Sequence, residues 1–116
     1  MTPLDGPSRI AHYRIARINS LLCVLYIDAD GREILRSSSF RSMSLAKAAV
    51  EEIKQQNRRG RVVRHHARNG GAYFTIVTAG RRAVSAKSVT FPNVEERDIA
   101  IASLQQDGAS APVFVF

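Results

Sequence analysis

The chain is poor in cysteine. Cys23 is the only one among 116 residues, so no intramolecular disulfide can form, and no Cys/His group has the spacing of a zinc site. The first ten residues carry neither the basic nor the apolar region of a signal peptide. The longest apolar run, LLCVLYI at 21–27, is far shorter than the roughly 20 residues that a membrane helix needs. These absences predict a cytoplasmic protein with no membrane segment.

Residue types that carry out chemistry are present, but not in the patterns that known sites use. His65 and His66 are adjacent, and adjacent side chains of a strand point to opposite faces, so the pair cannot bind one metal ion. The acids at 28–33 surround a turn without the ligand spacing of a calcium loop. The serines of SSSF at 37–40 lack the G-x-S-x-G context of a nucleophile. We therefore expect no catalytic residue, no metal site and no cofactor.

Positive charge is what the chain does have. Its formal net charge is +7, and the stretch NRRGRVVRHHARNGG at 57–71 holds five arginines and no acid. A basic surface of this kind neutralises phosphates, and aromatic side chains on a sheet can stack on bases. The candidate nucleic-acid-binding residues are Arg58, Arg59, Arg61, Arg64, Arg68, Arg81 and Arg82, with Tyr13, Tyr26, Tyr73 and Phe74 as candidate stacking aromatics. The alternative interpretation is a solvated strand that follows a helix end.

The chain repeats one plan. Three strand-like segments and one helix-like segment come first: HYRIARI, LLCVLYID, REILRSSSF and RSMSLAKAAVEEIKQQ. The same order then returns in RVVRHHAR, AYFTIVT, RRAVSAKSVTF and PNVEERDIAIASLQQ, so each set predicts three strands and a helix. The predicted fold class is α+β, with two tandem βββα repeats whose antiparallel sheet packs against two helices. We expect a flexible N-terminal segment at 1–10 and a single domain at 11–116, made of repeat one (11–60) and repeat two (61–116).

Turn residues support the two hairpins that begin these repeats. The dipeptide at 69–70, Asn-Gly, tolerates the positive φ angles of a tight hairpin turn, and Asn-Ser at 19–20 occupies the matching place. Superposing the two turns places Arg64 at the position of Arg14. The stretch from Val63 to Arg68 then alternates between two faces, with Arg64 on one of them and His65 on the other.

Capping residues and apolar spacing mark the helices. Ser42 or Ser44 is expected to cap the first helix, and Asn93 the second, with Glu96 completing a capping box. The apolar stripe predicted for the first helix contains Leu45, Ala46, Ala49, Val50 and Ile53. The stripe predicted for the second contains Val94, Ile99, Ile101, Ala102 and Leu104.

The segments DGREILRSSSFRSMSLAKAAVEEI and, more loosely, AGRRAVSAKSVTFPNVEERDIAIASL give this pattern its most specific features: a glycine turn, a serine-rich strand that ends at an aromatic residue, and an alanine-rich helix. In this the chain resembles the YegP-like tandem-repeat domains of unknown function. Both helices depart from that family by having Ala49 and Ala100 in place of its internal glycine. The resemblance implies a two-repeat α+β fold and no established activity.

The C-terminus APVFVF ends on four apolar residues, which we expect to dock as a last strand or, alternatively, to pair with another chain. We therefore predict a small non-catalytic domain acting as a protein-interaction or structural module, with an unknown protein partner or as a homodimer. The alternative function is nucleic-acid binding through the basic strand and turn surface around residues 58–68 and 81–82. The predicted interaction edge consists of Val113, Phe114, Val115 and Phe116.

Overall fold

The structure is a computed structural model that describes residues 10–78 and 83–115. The helices are α1 (Met43–Arg58) and α2 (Val94–Asp107), and a short 3-10 turn covers Arg68–Gly70. The strands are β1 (His12–Ile18), β2 (Leu21–Ile27), β3 (Glu33–Phe40), β4 (Val62–His66), β5 (Ala72–Val77), β6 (Val84–Ser88) and β7 (Val113–Val115). Residues 1–9 of the expected flexible segment, residues 79–82 and Phe116 lie outside the described residues.

The strands form one sheet in the order β4-β5-β6-β3-β2-β1-β7, which together with the two helices gives an α+β fold. Strands β1 to β6 pair antiparallel, but β7 runs parallel to β1, so the expectation of an entirely antiparallel sheet is wrong. The cause is the point at which the chain reaches the sheet edge. The Tyr13 N–H donates to Pro112 O at 2.8 Å, so the chain enters β7 beside the start of β1 and continues in the same direction.

Both helices begin at the predicted caps. The Ser42 hydroxyl accepts a hydrogen bond from the Leu45 N–H at 3.2 Å, and the Asn93 carboxamide oxygen accepts from the Glu96 N–H at 2.9 Å. After α1, Gly60 takes a left-handed conformation with φ of 70°. No helix within the described ranges is both long enough and apolar enough to cross a membrane.

The buried face of each helix is narrower than its apolar stripe. Leu45 and Ile99 were expected to face the core, but they are 54% and 69% exposed, so this part of the prediction is wrong. Val94 and Ala102 of the predicted α2 stripe are exposed as well. Leu45 and Ile99 each lie next to a residue that is buried, and successive helix positions are about 100° apart around the axis. The residues that α1 and α2 contribute to the core are Ala46, Val50, Ile53, Ala100, Ile101 and Leu104.

The main core lies between the helices and one face of the sheet, where alternate strand residues are buried. Its largest fully buried side chains include Tyr13, Tyr26 and Phe74, so these three predicted stacking aromatics are core residues. On the opposite face of the sheet, Cys23 belongs to a smaller buried apolar cluster with Leu25 and Ile27.

Candidate interaction surfaces

The basic stretch runs along one outer edge of the sheet. As predicted, its middle part is a strand, β4, which is paired on one side with β5. Arg58, Arg59 and Arg61 precede β4, whereas Arg68 follows it, and the five residues of β4 separate these groups by about 17 Å. The described arginines are therefore spread along an edge. Arg81 and Arg82 lie outside the described residues.

Arg64 points to the helix side of the sheet and is paired with an acid of α2. Its Nε donates to Asp98 Oδ1 at 3.2 Å, and the same oxygen accepts from Arg97 Nε at 3.0 Å. Arg97 Nη1 also donates to the backbone oxygen of His65 at 3.1 Å, and the Arg97 side chain is only 7% exposed. These contacts attach α2 to β4, and they account structurally for the position of Arg64.

The hydrogen bond from Arg97, together with that from Arg64, holds the pKa of Asp98 below its ordinary value of 3.8. A carboxyl whose pKa is lower in the folded chain stabilises the fold above its unfolded pKa, and this contribution is lost as the pH falls through the folded value. We expect Asp98→Asn to lose less of its free energy of unfolding than the wild type as the pH falls below about 4.

Urea unfolding at a series of pH values measures this difference. Asp30→Asn serves as the control because the Asp30 side chain is 80% exposed and its nearest cationic atom, on Arg32, is 3.8 Å away. If the free energy of unfolding fell equally with decreasing pH in Asp98→Asn and the wild type, the pairing of Asp98 with the two arginines would not stabilise the fold.

The predicted superposition of Arg64 on Arg14 is wrong. Arg14 pairs with Leu25 on the face opposite the helices, whereas Arg64 pairs with Phe74 on the helix face. Two residues connect β1 to β2, but residues 67–71 connect β4 to β5, so the turns do not superpose residue for residue. Because strand side chains alternate with a period of two, a shift of one position transfers a residue to the other face.

The opposite outer edge is β7, and it is apolar. Val113, Phe114 and Val115 are 37%, 38% and 47% exposed, and their pairing with β1 confirms the expected docking of this segment. The Phe114 and His12 rings pack in a T-shaped arrangement at a centroid distance of 5.1 Å. Since Pro112 O accepts a bond from β1, the backbone groups of Val113 and Val115 point away from β1, toward the outer edge.

Aromatic and cationic side chains line part of the face opposite the helices. The rings of His65 and Tyr73 stack at 4.7 Å with an interplanar angle of 12°, and the Lys87 ammonium lies 4.8 Å from the Tyr73 ring centroid. His65 Nε2 is hydrogen-bonded to Thr75 Oγ1 at 3.0 Å, which fixes the imidazole ring. Of the predicted stacking aromatics, Tyr73 is therefore the one on this face.

Arg36 continues this arrangement on the next strand. It lies directly opposite Lys87 in the β3–β6 pair and makes two hydrogen bonds of 3.0 Å to the Glu33 carboxylate. Arg36, Lys87 and Glu33 border a surface hollow of about 340 Å³ together with Ser37, Ser88 and Val89. Glu33 is the one acid among the lining residues.

The histidines occupy separate environments. His12 is buried and its Nδ1 donates to Ile10 O at 2.8 Å, His65 is half-buried, and His66 is exposed. Within residues 10–78 and 83–115 there is no group of three or more His, Cys, Asp or Glu side chains that could hold a metal ion.

Sequence reasoning missed Arg97, Asp98, Arg36 and Lys87. Arg97 and Asp98 stand in a charged segment that is typical of an exposed helix start, and no local signal distinguishes the buried arginine from its neighbours. Arg36 and Lys87 become neighbours only through the β3–β6 pairing, which joins the two halves of the sheet. A prediction of that pairing would have found the second pair.

No protein-family model matches the sequence, and no curated protein matches it. Two solved structures share its fold. The solution NMR structure of YegP from E. coli, a protein of unknown function, superposes with a TM-score of 0.80 and 20% identity over 90% of this chain and 91% of that chain. The solution NMR structure of a UPF0339 protein from Shewanella oneidensis gives a TM-score of 0.82 and 19% identity over 90% of each. The predicted resemblance to YegP-like domains is thus confirmed for the fold.

Proposed function

We propose that this chain is a non-catalytic interaction domain of the cytoplasm that forms a homodimer through the outer edge of β7. The observation that carries the proposal is an outermost strand with three exposed apolar side chains and no charge. Unpaired strand edges bind other strands unless charge, proline or a covering segment prevents it. The side chains of Val113 to Val115 offer none of these protections.

The two edges of the sheet differ in charge, and this difference selects β7 as the edge that joins two copies. The β4 edge carries the arginines of a stretch without acids, so two β4 edges would repel each other. The two edges are six strand spacings apart, or about 30 Å, which exceeds the Debye length of about 8 Å at physiological salt. Two copies joined at β7 keep their most basic regions at the far ends of a continuous sheet.

An antiparallel pair centred on Phe114 fits the outward backbone groups. Val113 of one copy then lies opposite Val115 of the other, and the two pairs form about four main-chain hydrogen bonds. Phe114 side chains come together at the centre, on the face that also carries His12. The contact is small, so we expect a weak dimer with a dissociation constant on the order of tens to hundreds of micromolar.

Val115→Pro tests the dimer because it removes an N–H group that faces outward while leaving the side of β7 that faces β1 in place. We expect the wild type to pass from monomer to dimer between micromolar and millimolar concentrations in analytical ultracentrifugation, and Val115→Pro to stay monomeric. Higher salt should strengthen the wild-type dimer, because it screens repulsion between two chains of net charge +7.

Val115→Thr is the matched control, since threonine keeps both the β-branched shape and the N–H group. It should dimerise about as well as the wild type. A wild type that stays monomeric at millimolar concentration would refute the proposal, and so would a Val115→Pro variant that dimerises normally. Thermal unfolding of the proline variant checks that β7 remains docked.

We also propose that the two βββα halves are copies of one unit. Two buried serines support this interpretation. Ser37 Oγ accepts from the Val24 N–H, and Ser88 Oγ accepts from the Phe74 N–H, both at 2.9 Å. Each hydroxyl then donates to the carbonyl of its own following residue at 2.7 Å. The same local device thus bridges the second and third strands in both halves.

A further inference from the structure

Four side chains form a continuous row across the face opposite the helices. His65, Tyr73, Lys87 and Arg36 stand on β4, β5, β6 and β3, which are neighbours in that order. The row crosses three strand spacings, or about 14 Å. We name it the cation–aromatic row, and it is distinct from the arginines that flank β4 and from the β7 edge.

The cationic end of the row holds two like charges together. Lys87 and Arg36 are directly opposite on antiparallel strands, an arrangement that destabilises a sheet when nothing offsets it. Each is held in place separately, Lys87 over the Tyr73 ring and Arg36 by Glu33, and both side chains remain exposed. Two fixed cations that border one hollow offer one phosphate contact each.

The aromatic end of the row supplies a flat surface. One face of the His65 ring is covered by Tyr73, and the bond to Thr75 prevents the imidazole from turning. His65 lies on the outermost strand, so no strand within the described residues covers the other face of its ring. A ring that is already oriented in this way can stack on a base at little cost in conformational entropy.

From this arrangement we propose that the cation–aromatic row binds single-stranded nucleic acid, with phosphates on Lys87 and Arg36 and a base stacked on the outer face of His65. Single strands are favoured because their bases are free to stack on a protein ring, whereas those of a duplex are stacked on one another. The proposal does not depend on dimerisation, because β7 contributes no residue to the row.

Fluorescence anisotropy with labelled ten-nucleotide oligo-dT and oligo-U, over a range of salt concentrations, measures this binding. The double variant Arg36→Gln/Lys87→Gln is expected to reduce the slope of log affinity against log salt by about 1.4, or about 0.7 for each lost phosphate contact. His65→Ala is expected to weaken binding about tenfold or more, since it removes the stacking surface. Both variants keep the residues of the main core.

The chain offers a matched control for each change. Arg64→Gln removes one positive charge from the helix side, and His66→Ala removes the adjacent, exposed imidazole. Both should bind as the wild type does. If Arg64→Gln and the double variant lost equal amounts of binding affinity, the proposal would be overturned in favour of the basic stretch. If the wild type bound neither oligonucleotide, the proposal would be overturned altogether. Preference for a duplex of the same length would also contradict it.

Glu33→Gln provides a test in the opposite direction. It removes the one acid among the residues that line the hollow and releases Arg36 from its ion pair. We expect binding to strengthen, by about threefold to tenfold at low salt, because a carboxylate no longer competes with the phosphate for Arg36. Unchanged or weaker binding in this variant would show that Arg36 does not contact phosphate.

Discussion

Phe74→Ala is expected to lower the free energy of unfolding by about 3–5 kcal/mol, the range for removing a buried aromatic ring. Phe74 is fully buried at the centre of β5, and its ring lies parallel to that of Phe91 at a centroid distance of 6.4 Å. Domains of this size have a total stability of about 5–15 kcal/mol, so the variant should unfold about 10–20 °C earlier. Urea and thermal unfolding, followed by circular dichroism, measure both quantities.

Tyr73→Ala, at the next residue of the same strand, is the control. Tyr73 faces away from the helices, where it stacks on His65 and is only partly buried, so its loss should cost about 1–2 kcal/mol. If Tyr73→Ala were the more destabilising of the two, the side-chain alternation in β5 would be shifted by one residue. The pair also supports the binding experiment, because it shows how far the cation–aromatic row can be altered before the fold is lost.

Signals that act over a few residues predicted much of this fold. Ser42 and Asn93 cap the two helices because short polar side chains satisfy free N–H groups at a helix start, whatever the tertiary structure. Asn19 and Asn69 take positive φ angles, as expected for asparagine in a tight turn. Such features depend on neighbours in the sequence, so one sequence is enough to locate them.

Signals that depend on distant residues were missed. The face of Arg64 depends on the length of a hairpin connection, and a difference of a few residues in that loop was enough to misplace it relative to Arg14. The parallel direction of β7 involves contacts between distant residues, since Tyr13 in β1 donates hydrogen bonds to Gly108 O and Pro112 O, which lie between α2 and β7. Neither feature leaves a local pattern in the sequence, because both follow from the packing of separate elements.

The basic stretch illustrates the same distinction. Its composition indicates a nucleic-acid surface, whereas its arginines have different local roles. Arg64 pairs with Asp98, and Arg58 is the last residue of α1. Asn57, the first residue of the stretch, is buried, and its side-chain amide donates to Leu104 O at 3.0 Å. A run of like charge in a sequence therefore does not establish a common surface. Arg36 and Lys87, which are far apart in sequence, do lie side by side on one surface.

Asn57 is part of a contact that leads to the second large expected effect. At the end of α2, Leu104 O accepts from both the Gly108 N–H, at 2.7 Å, and the Asn57 amide. Gly108 O in turn accepts from the Tyr13 hydroxyl at 2.9 Å. Burial raises the pKa of Tyr13 above its ordinary value of 10.0, which favours the protonated hydroxyl that donates this bond. These bonds join the ends of both helices to β1.

Gly108→Ala is expected to destabilise the fold by about 3 kcal/mol or more, at the upper end of the range for overpacking. Gly108 has an ordinary right-handed φ of −67°, so the cost is steric and not conformational. A Cβ atom there would lie 2.5 Å from Leu104 O and 3.1 Å from Asn57 Nδ2, so the two bonds to Leu104 O could not both persist. Urea unfolding measures the loss, and the β7 dimer should weaken with it because Tyr13 also positions Pro112.

Gly60→Ala separates the steric cause from the conformational one. Gly60 has a φ of 70°, and a Cβ atom added there would meet no atom within 4 Å beyond its chain neighbours. Alanine at this position should therefore cost only the strain of a left-handed residue, about 1–2 kcal/mol. If Gly60→Ala and Gly108→Ala lowered the free energy of unfolding equally, the end of α2 would relax freely around the new methyl group. A larger loss of unfolding free energy at Gly108 would show that the helix end is held rigidly by its contacts with Asn57 and Tyr13.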